Sequence, residues 1–203
     1  MTPAAALDEG LGELGIGLHA GAREQLLRYL ELLAKWNRTY NLTAIRDPLE
    51  MVSHHVLDSL AVMPHLPVPD DGTLADVGSG AGLPGIPLAI ARPQWQVTLN
   101  DASQKRTAFL RQAAMELALG NVAVHEGRAE AWRPAARFAV VISRAFAQLT
   151  RFIASCRHLV RPGGVLAAMT GAAPGEDCGG EVIALRVPLL DAERHLVLCR
   201  VER

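Results

Sequence analysis

The chain is short of aromatic side chains, of lysine and of cysteine, and each shortage narrows what it can be. Aromatic residues make up 4% of the 203 positions, so a core must be assembled from leucine, valine, isoleucine and alanine. Hydrophobic residues still reach 50% and charged ones only 20%, which excludes a disordered chain. Lys35 and Lys105 are the only lysines among 20 basic residues and the net charge is −1, so the bulk balance announces no nucleic-acid partner. The three cysteines, Cys156, Cys178 and Cys199, are odd in number and widely spaced. They read as buried thiols of a reduced, cytoplasmic protein. No apolar run approaches the roughly 18–20 residues that a membrane span requires. The N-terminus, with Asp8 and Glu9 and no basic start, does not read as a secretion signal. The expectation is a monomeric chain without membrane or metal partners.

Two regions follow from the periodicity. Residues 1–66 read as a helical extension. Leu26, Leu27, Leu30, Leu33 and Ala34 share one helical face, and Trp36 to Asn41 breaks the pattern. A second helix starts at Asp47 as N-cap, with Pro48 and Glu50 completing a capping box, and stops before Pro64. Residues 67–203 read as an α/β domain. Short strands are expected at Leu74–Val77, Gln96–Leu99, Val122–Val124, Phe138–Ile142 and, after Pro162-Gly163-Gly164, Val165–Met169. Helices lie between them, one opened by Pro84 or Pro87, one capped by Ser103 and ended by Gly120, and one over Leu149–Val160. That alternation predicts a mostly parallel sheet with right-handed crossovers. Val182–Val187 and His195–Val201 are too close for a crossover helix and should add an antiparallel hairpin.

Asp76-Val77-Gly78-Ser79-Gly80-Ala81-Gly82-Leu83-Pro84-Gly85 joins the first strand to the first helix of that domain. Glycines there allow positive φ and close approach of a ligand to the backbone, next to a helix N-terminus rich in free N–H groups. Two cofactors compete for it. Gly80-x-Gly82-x-x-Gly85 with Asp101 about 20 residues on matches the dinucleotide fingerprint and would make the chain an NAD-dependent oxidoreductase. An acidic residue followed by glycines at 78, 80 and 82 looks like the first motif of class I S-adenosylmethionine-dependent methyltransferases, a Rossmann-like fold. Asp76, Gly78, Ser79, Gly80 and Gly82 would then hold the cofactor, Asp101 its ribose, and Ala129-Glu130 would flank its adenine. The terminal hairpin suits this second reading. Asp76 as a turn cap and Gly85 as a packing glycine are the structural alternatives. On the ligand reading, Gly82→Asp blocks the cofactor with little loss of folding.

The stretches Lys35 to Thr43, His55-Val56-Leu57-Asp58-Ser59 and Asp76 to Pro87 together resemble the RsmG (GidB) family of bacterial methyltransferases acting on 16S ribosomal RNA. Lys105-Arg106, Phe109 to Arg111, Ser143 to Phe146 and Leu190 to Leu196 extend the match. The resemblance implies methyl transfer to N7 of a guanine in the 530 loop of the small ribosomal subunit. It adds Leu83 and Arg144 to the cofactor contacts, with Arg144 also the candidate catalytic residue. Asn41, His55, Lys105, Arg106 and Arg111 become candidate RNA contacts, His55 alternatively orienting the helices, and Trp36 and Tyr40 either stack on a base or lock those helices in place. Guanine N7 carries an in-plane lone pair and no proton, so alignment suffices and no general base is needed. Two departures stand out. Thr170 lies where the family commonly has lysine, and residues 172–180 are short for a helix. A descendant that binds RNA without catalysis is the remaining alternative.

Overall fold

In a computed structural model that describes residues 1–70, 72–144, 148–175 and 179–202, seven strands form one sheet. They are β1 (Thr73–Val77), β2 (Gln96–Asp101), β3 (Val122–Glu126), β4 (Phe138–Ser143), β5 (Val160–Thr170), β6 (Glu181–Leu185) and β7 (Arg194–Arg200), in the order β3-β2-β1-β4-β5-β7-β6. β1 to β5 are parallel, and β7 runs against both its neighbours. The expected hairpin is present: β7 lies against β5 and β6 forms the rim. Burial explains that order. β7 carries a run of four buried residues, while β6 is largely exposed. Pro162-Gly163-Gly164 lies inside β5 as a bulge, because pairing jumps from Phe138↔Val160 to Val140↔Val165. Gly163 has φ 77°, and a Cβ on Gly164 would stand 2.6 Å from the Ala139 carbonyl oxygen.

Both faces of the sheet are covered, as a parallel sheet demands. Alternate residues divide between two cores: Leu74, Val140 and Ile142 face one, Ala75, Val77 and Val141 the other. The second core is closed by α7 (Leu149–Cys156) through Phe152 and Cys156. Burial pushes the Cys156 thiol up to about 12. Cys199 is also buried, and Cys178 lies outside the described residues.

The first core also holds the N-terminal helices: α1 (Pro3–Leu14), α2 (Ala22–Tyr40), α3 (Pro48–Met51) and α4 (Asp58–Ala61), with a π-helical turn over Val52–Leu57 between the last two. Asp47 caps α3, accepting from the N–H groups of Leu49 and Glu50. The π turn was not expected; the sequence suggested one uninterrupted helix. α2 also differs from expectation. It continues through Trp36 and ends at Asn41, which takes the left-handed conformation at φ 49° and donates to the Asn37 carbonyl. Aromatic packing holds this last stretch. Trp36 meets Phe109 edge-on at 5.5 Å, and Tyr40 lies over Trp36 at 5.1 Å. Trp36 therefore locks α2 against the α/β layer.

Two helices complete the layer, α5 (Gly85–Ala91) and α6 (Gln104–Glu116). Ser103 occupies the N-cap of α6, yet its side chain makes no capping bond; its N–H donates to Asp101 Oδ1 at 2.8 Å. The chain turns after α6 at Ala118, φ 52°, two residues before the expected Gly120. α2 is tied to both helices' ends. Gln25 donates to the Leu117 carbonyl at 2.9 Å, and the buried Tyr29 hydroxyl donates to the Ala81 carbonyl, in the glycine loop, at 2.8 Å. Tyr29→Phe leaves that carbonyl without its donor. The expected cost is about 1–2 kcal/mol, read as a fall in Tm of roughly 2–8 °C; an unchanged Tm would mean that the tie is idle.

Candidate functional site

The glycine loop leaves the carboxyl end of β1 with Gly78, Gly80 and Gly82 at φ 67°, 58° and 88°. Their surroundings differ. Among the described residues, a Cβ on Gly80 would meet nothing nearer than the Gly78 oxygen at 3.9 Å, so they leave that side of the loop open. A Cβ on Gly82 would lie 2.4 Å from Ile86 Cδ1 and 3.1 Å from Leu110 Cδ2. Gly82 therefore lets the loop rest on α5 and α6, and the expectation that a side chain there enters the ligand space is corrected. Gly85 is a packing glycine, with its Cβ position 2.2 Å from Leu99 Cδ2. The Ser79 hydroxyl and N–H both donate to the Asn100 carbonyl, so its side chain faces inward. Leu83 is buried, and its N–H returns to the Ser79 carbonyl.

Asp76 lies beneath the loop. Its Oδ2 accepts the Gly85 N–H at 2.8 Å, while buried Oδ1 has no partner among the described residues. Burial pushes its carboxyl up to about 7 from 3.8, outweighing the Gly85 bond that lowers it. As a cofactor contact Asp76 acts from behind, by shaping the turn. A raised acid pKa means that the folded chain keeps a proton where the unfolded chain releases it. That contribution to stability is complete below about 4 and lost as pH rises towards about 7. Asp76→Asn is expected to remove this loss. Denaturant midpoints of the two proteins should thus diverge from pH 4 to 7 in favour of the variant, and parallel curves would show that Asp76 ionises normally.

Asp101 ends β2 beside the loop. Its Oδ2 accepts the Gly80 N–H at 3.0 Å and faces Arg106 at 3.4 Å. Asn100, the residue before it, donates to Gly127 O and to His125 Nδ1, bracing the turn that follows β3. Ala129 is buried in a short 3-10 turn there, and Glu130 beside it is exposed, accepting from Ser155. The loop, Asp101 and Ala129-Glu130 thus stand at the carboxyl ends of β1, β2 and β3, at neighbouring positions along one edge.

Arg144 follows β4 at the same edge. The β1–β4 register pairs Asp76 with Ile142, which brings Ser143 level with Val77, and the Ser143 hydroxyl donates to the Val77 carbonyl at 2.7 Å. The Arg144 guanidinium reaches back to the N-terminal layer, where Nη1 donates to His54 O at 2.9 Å and to Asp58 Oδ2 at 3.1 Å. Ala145 and Phe146 lie outside the described residues.

The candidate RNA contacts separate. His55 is only 3% exposed and bonds the Thr43 hydroxyl through Nε2. Burial, and the nearby Arg144 charge after it, hold its imidazole down to about 4. His55 cannot meet RNA from there; it secures the loop after α2 as a neutral group, and the expected contact is corrected to that role. Asn41 is exposed but serves as the C-cap of α2. Lys105 and Arg106 are exposed in the first turn of α6. Arg111 is paired with Glu126, whose carboxyl is held below its usual range by Thr107 and Arg111. Thr170 is turned onto the Ala172 carbonyl. His54 Nδ1 lies 3.0 Å from Glu50 O, and Asp58 serves two arginines.

A reversed β7 inserted between β5 and β6, with a glycine loop after β1 and a carboxylate ending β2, defines a class I S-adenosylmethionine-dependent methyltransferase fold. It departs from the 3-2-1-4-5-6 order of the nicotinamide-binding sheets, which sets the oxidoreductase reading aside. Residues 22–187 match the family described as GidB, rRNA small subunit methyltransferase G, and the chain belongs to that family. The protein named ribosomal RNA small subunit methyltransferase G of Burkholderia thailandensis is 53% identical to it over 206 residues, spanning 95% of this chain and 89% of that one. The protein of the same name from Burkholderia pseudomallei is 52% identical over the same shares. Among solved structures, an O-methyltransferase from Bacillus cereus in complex with SAH aligns with a TM-score of 0.60 at 17% identity, covering 86% of this chain and 91% of its own. A SAM-dependent methyltransferase from Aquifex aeolicus aligns at 0.58 and 16%, covering 83% and 98%. At those identities the structures show the fold alone.

Proposed function

We propose that the chain transfers a methyl group from S-adenosylmethionine to N7 of a guanine in the 530 loop of small-subunit ribosomal RNA. The cofactor supplies an electrophilic methyl group on a sulfonium. The residues present fit it: Gly80 leaves open space beside the loop, Asp101 offers a carboxylate at the end of β2, and Ala129-Glu130 stands one strand further on. The observation that carries the reading of the reaction is the end of β4. Among the described residues there, the Ser143 hydroxyl is spent on Val77 O and the next side chain is a permanent cation, Arg144. Neither accepts a proton, which suits an acceptor that has none to lose. Arg144 orients cofactor and base; Lys105 and Arg106 meet RNA phosphates, each contact adding to the salt dependence of binding.

The test is transfer of label from radioactive S-adenosylmethionine to small subunits lacking the modification, with the modified base mapped. Label on N7 of the 530-loop guanine is the expected outcome. Label on another base would change the substrate and keep the chemistry. Cofactor binding without transfer would favour the descendant that has lost catalysis.

A further inference from the structure

Asp58 is a deeply buried carboxylate that the reaction above does not use. Its side chain is 2% exposed, and its two oxygens are given to two arginines, one after β4 and one in β7. Oδ2 takes Arg144 Nη1 at 3.1 Å and Oδ1 takes Arg194 Nε at 3.0 Å. Arg144 follows β4 and Arg194 opens the reversed β7, so both stand at the carboxyl edge of the sheet with the end of β5 between them. One carboxylate thus spans the end of β5 and fixes a guanidinium on each side.

The π turn makes the clamp possible. In an α-helix the Asp58 N–H would bond the His54 carbonyl. Here it bonds Ser53 O, five residues back, and His55 O. The His54 carbonyl then accepts Arg144 Nη1 at 2.9 Å, beside Asp58 Oδ2. Two acceptors on one short helical segment converge on the same nitrogen, and the segment departs from α-helical geometry to bring them there.

We infer that Asp58 is a positioning residue of the methyl transfer. Braced by Arg194, it sets the direction of the Arg144 guanidinium beside the glycine loop. The inference rests on the reading that Arg144 faces the reaction. A pair that served stability alone would need one arginine; the second holds the carboxylate from the opposite side, so that Arg144 cannot swing with it.

The test is a double-mutant cycle of Asp58→Asn and Arg144→Ala, followed by single-turnover transfer and scaled to the folded fraction measured by ellipticity. Asp58→Asn alone should slow transfer by roughly 30-fold, and in the Arg144→Ala protein by less than about 2-fold, because its effect passes through the missing guanidinium. Equal factors in both backgrounds, or no slowing at all, would overturn the inference and leave Asp58 a structural ion pair. Undiminished transfer by Arg144→Ala alone would overturn the reading beneath it. Should Asp58→Asn not fold, Arg194→Gln goes through the same cycle under the same criterion.

Discussion

Arg144→Ala is expected to lower single-turnover methyl transfer by roughly 100-fold, on the scale of a misplaced reacting group, while the chain still folds. The argument for folding is that Asp58 keeps its second partner. Orphaning a buried charge costs about 3–5 kcal/mol, but Arg194 Nε remains 3.0 Å from Asp58 Oδ1 when Arg144 is gone. The stability loss should therefore be nearer to about 1–3 kcal/mol, the cost of leaving the His54 carbonyl and one carboxylate oxygen without a donor. The argument for activity is the position of Arg144, directly after β4 and level with the start of the glycine loop. Two measurements separate its possible roles. A large fall in rate with a modest fall in Tm identifies a residue of the reaction. A fall in Tm with full activity in the folded fraction would make Arg144 a strut between the helical layer and the sheet. Arg144→Lys keeps the charge but replaces the rigid, planar guanidinium by a compact ammonium on a flexible stem, so it should recover little of the rate.

The parts of this fold legible in the sequence are those set by local pattern. Strand alternation, the Asp47 cap and the glycine loop all depend on neighbours within a few residues, and each stands where it was expected. What escaped depends on distant partners. The Arg144–Asp58 and Arg194–Asp58 contacts join residues 86 and 136 positions apart, and nothing near Asp58 announces two arginines. The π turn serves that same cluster, so periodicity could not reveal it. Trp36 to Asn41 looked like a break because its polar residues interrupt the apolar stripe, yet aromatic contact with Phe109 extends the helix to Tyr40. His55 was a candidate RNA contact by resemblance, or else a residue orienting the helices, and burial makes it a neutral internal bond to Thr43. In each case the residue type was read correctly and its surroundings were supplied by another part of the chain.

The same division decides what the loop glycines do, and substituting them separates folding from binding. Gly82 at φ 88° lies where non-glycine residues are strained, and its Cβ position is 2.4 Å from Ile86 Cδ1 and 2.7 Å from Ile86 Cγ1. Left-handed backbone costs about 1–2 kcal/mol and overpacking about 1–3 more. Gly82→Ala should therefore lose about 2–5 kcal/mol of stability, and Gly82→Asp more, since it also buries a carboxylate against two apolar helices. Lost activity in either variant would then report on folding. Gly80 is the informative position. Its φ of 58° is one that aspartate and asparagine tolerate, and its Cβ faces open space. Gly80→Asp is expected to fold, with a penalty of about 1–2 kcal/mol, and to bind S-adenosylmethionine at least about 10-fold more weakly by calorimetry. The added side chain fills the ligand's approach and sets a negative charge against the cofactor's carboxylate, a repulsion of about 1 kcal/mol or more at close range. Gly80→Asn fills the same space without the charge and should fall between the two. Unchanged affinity in Gly80→Asp would move the cofactor away from this loop, and an undiminished Tm in Gly82→Ala would show that Ile86 and Leu110 yield the space.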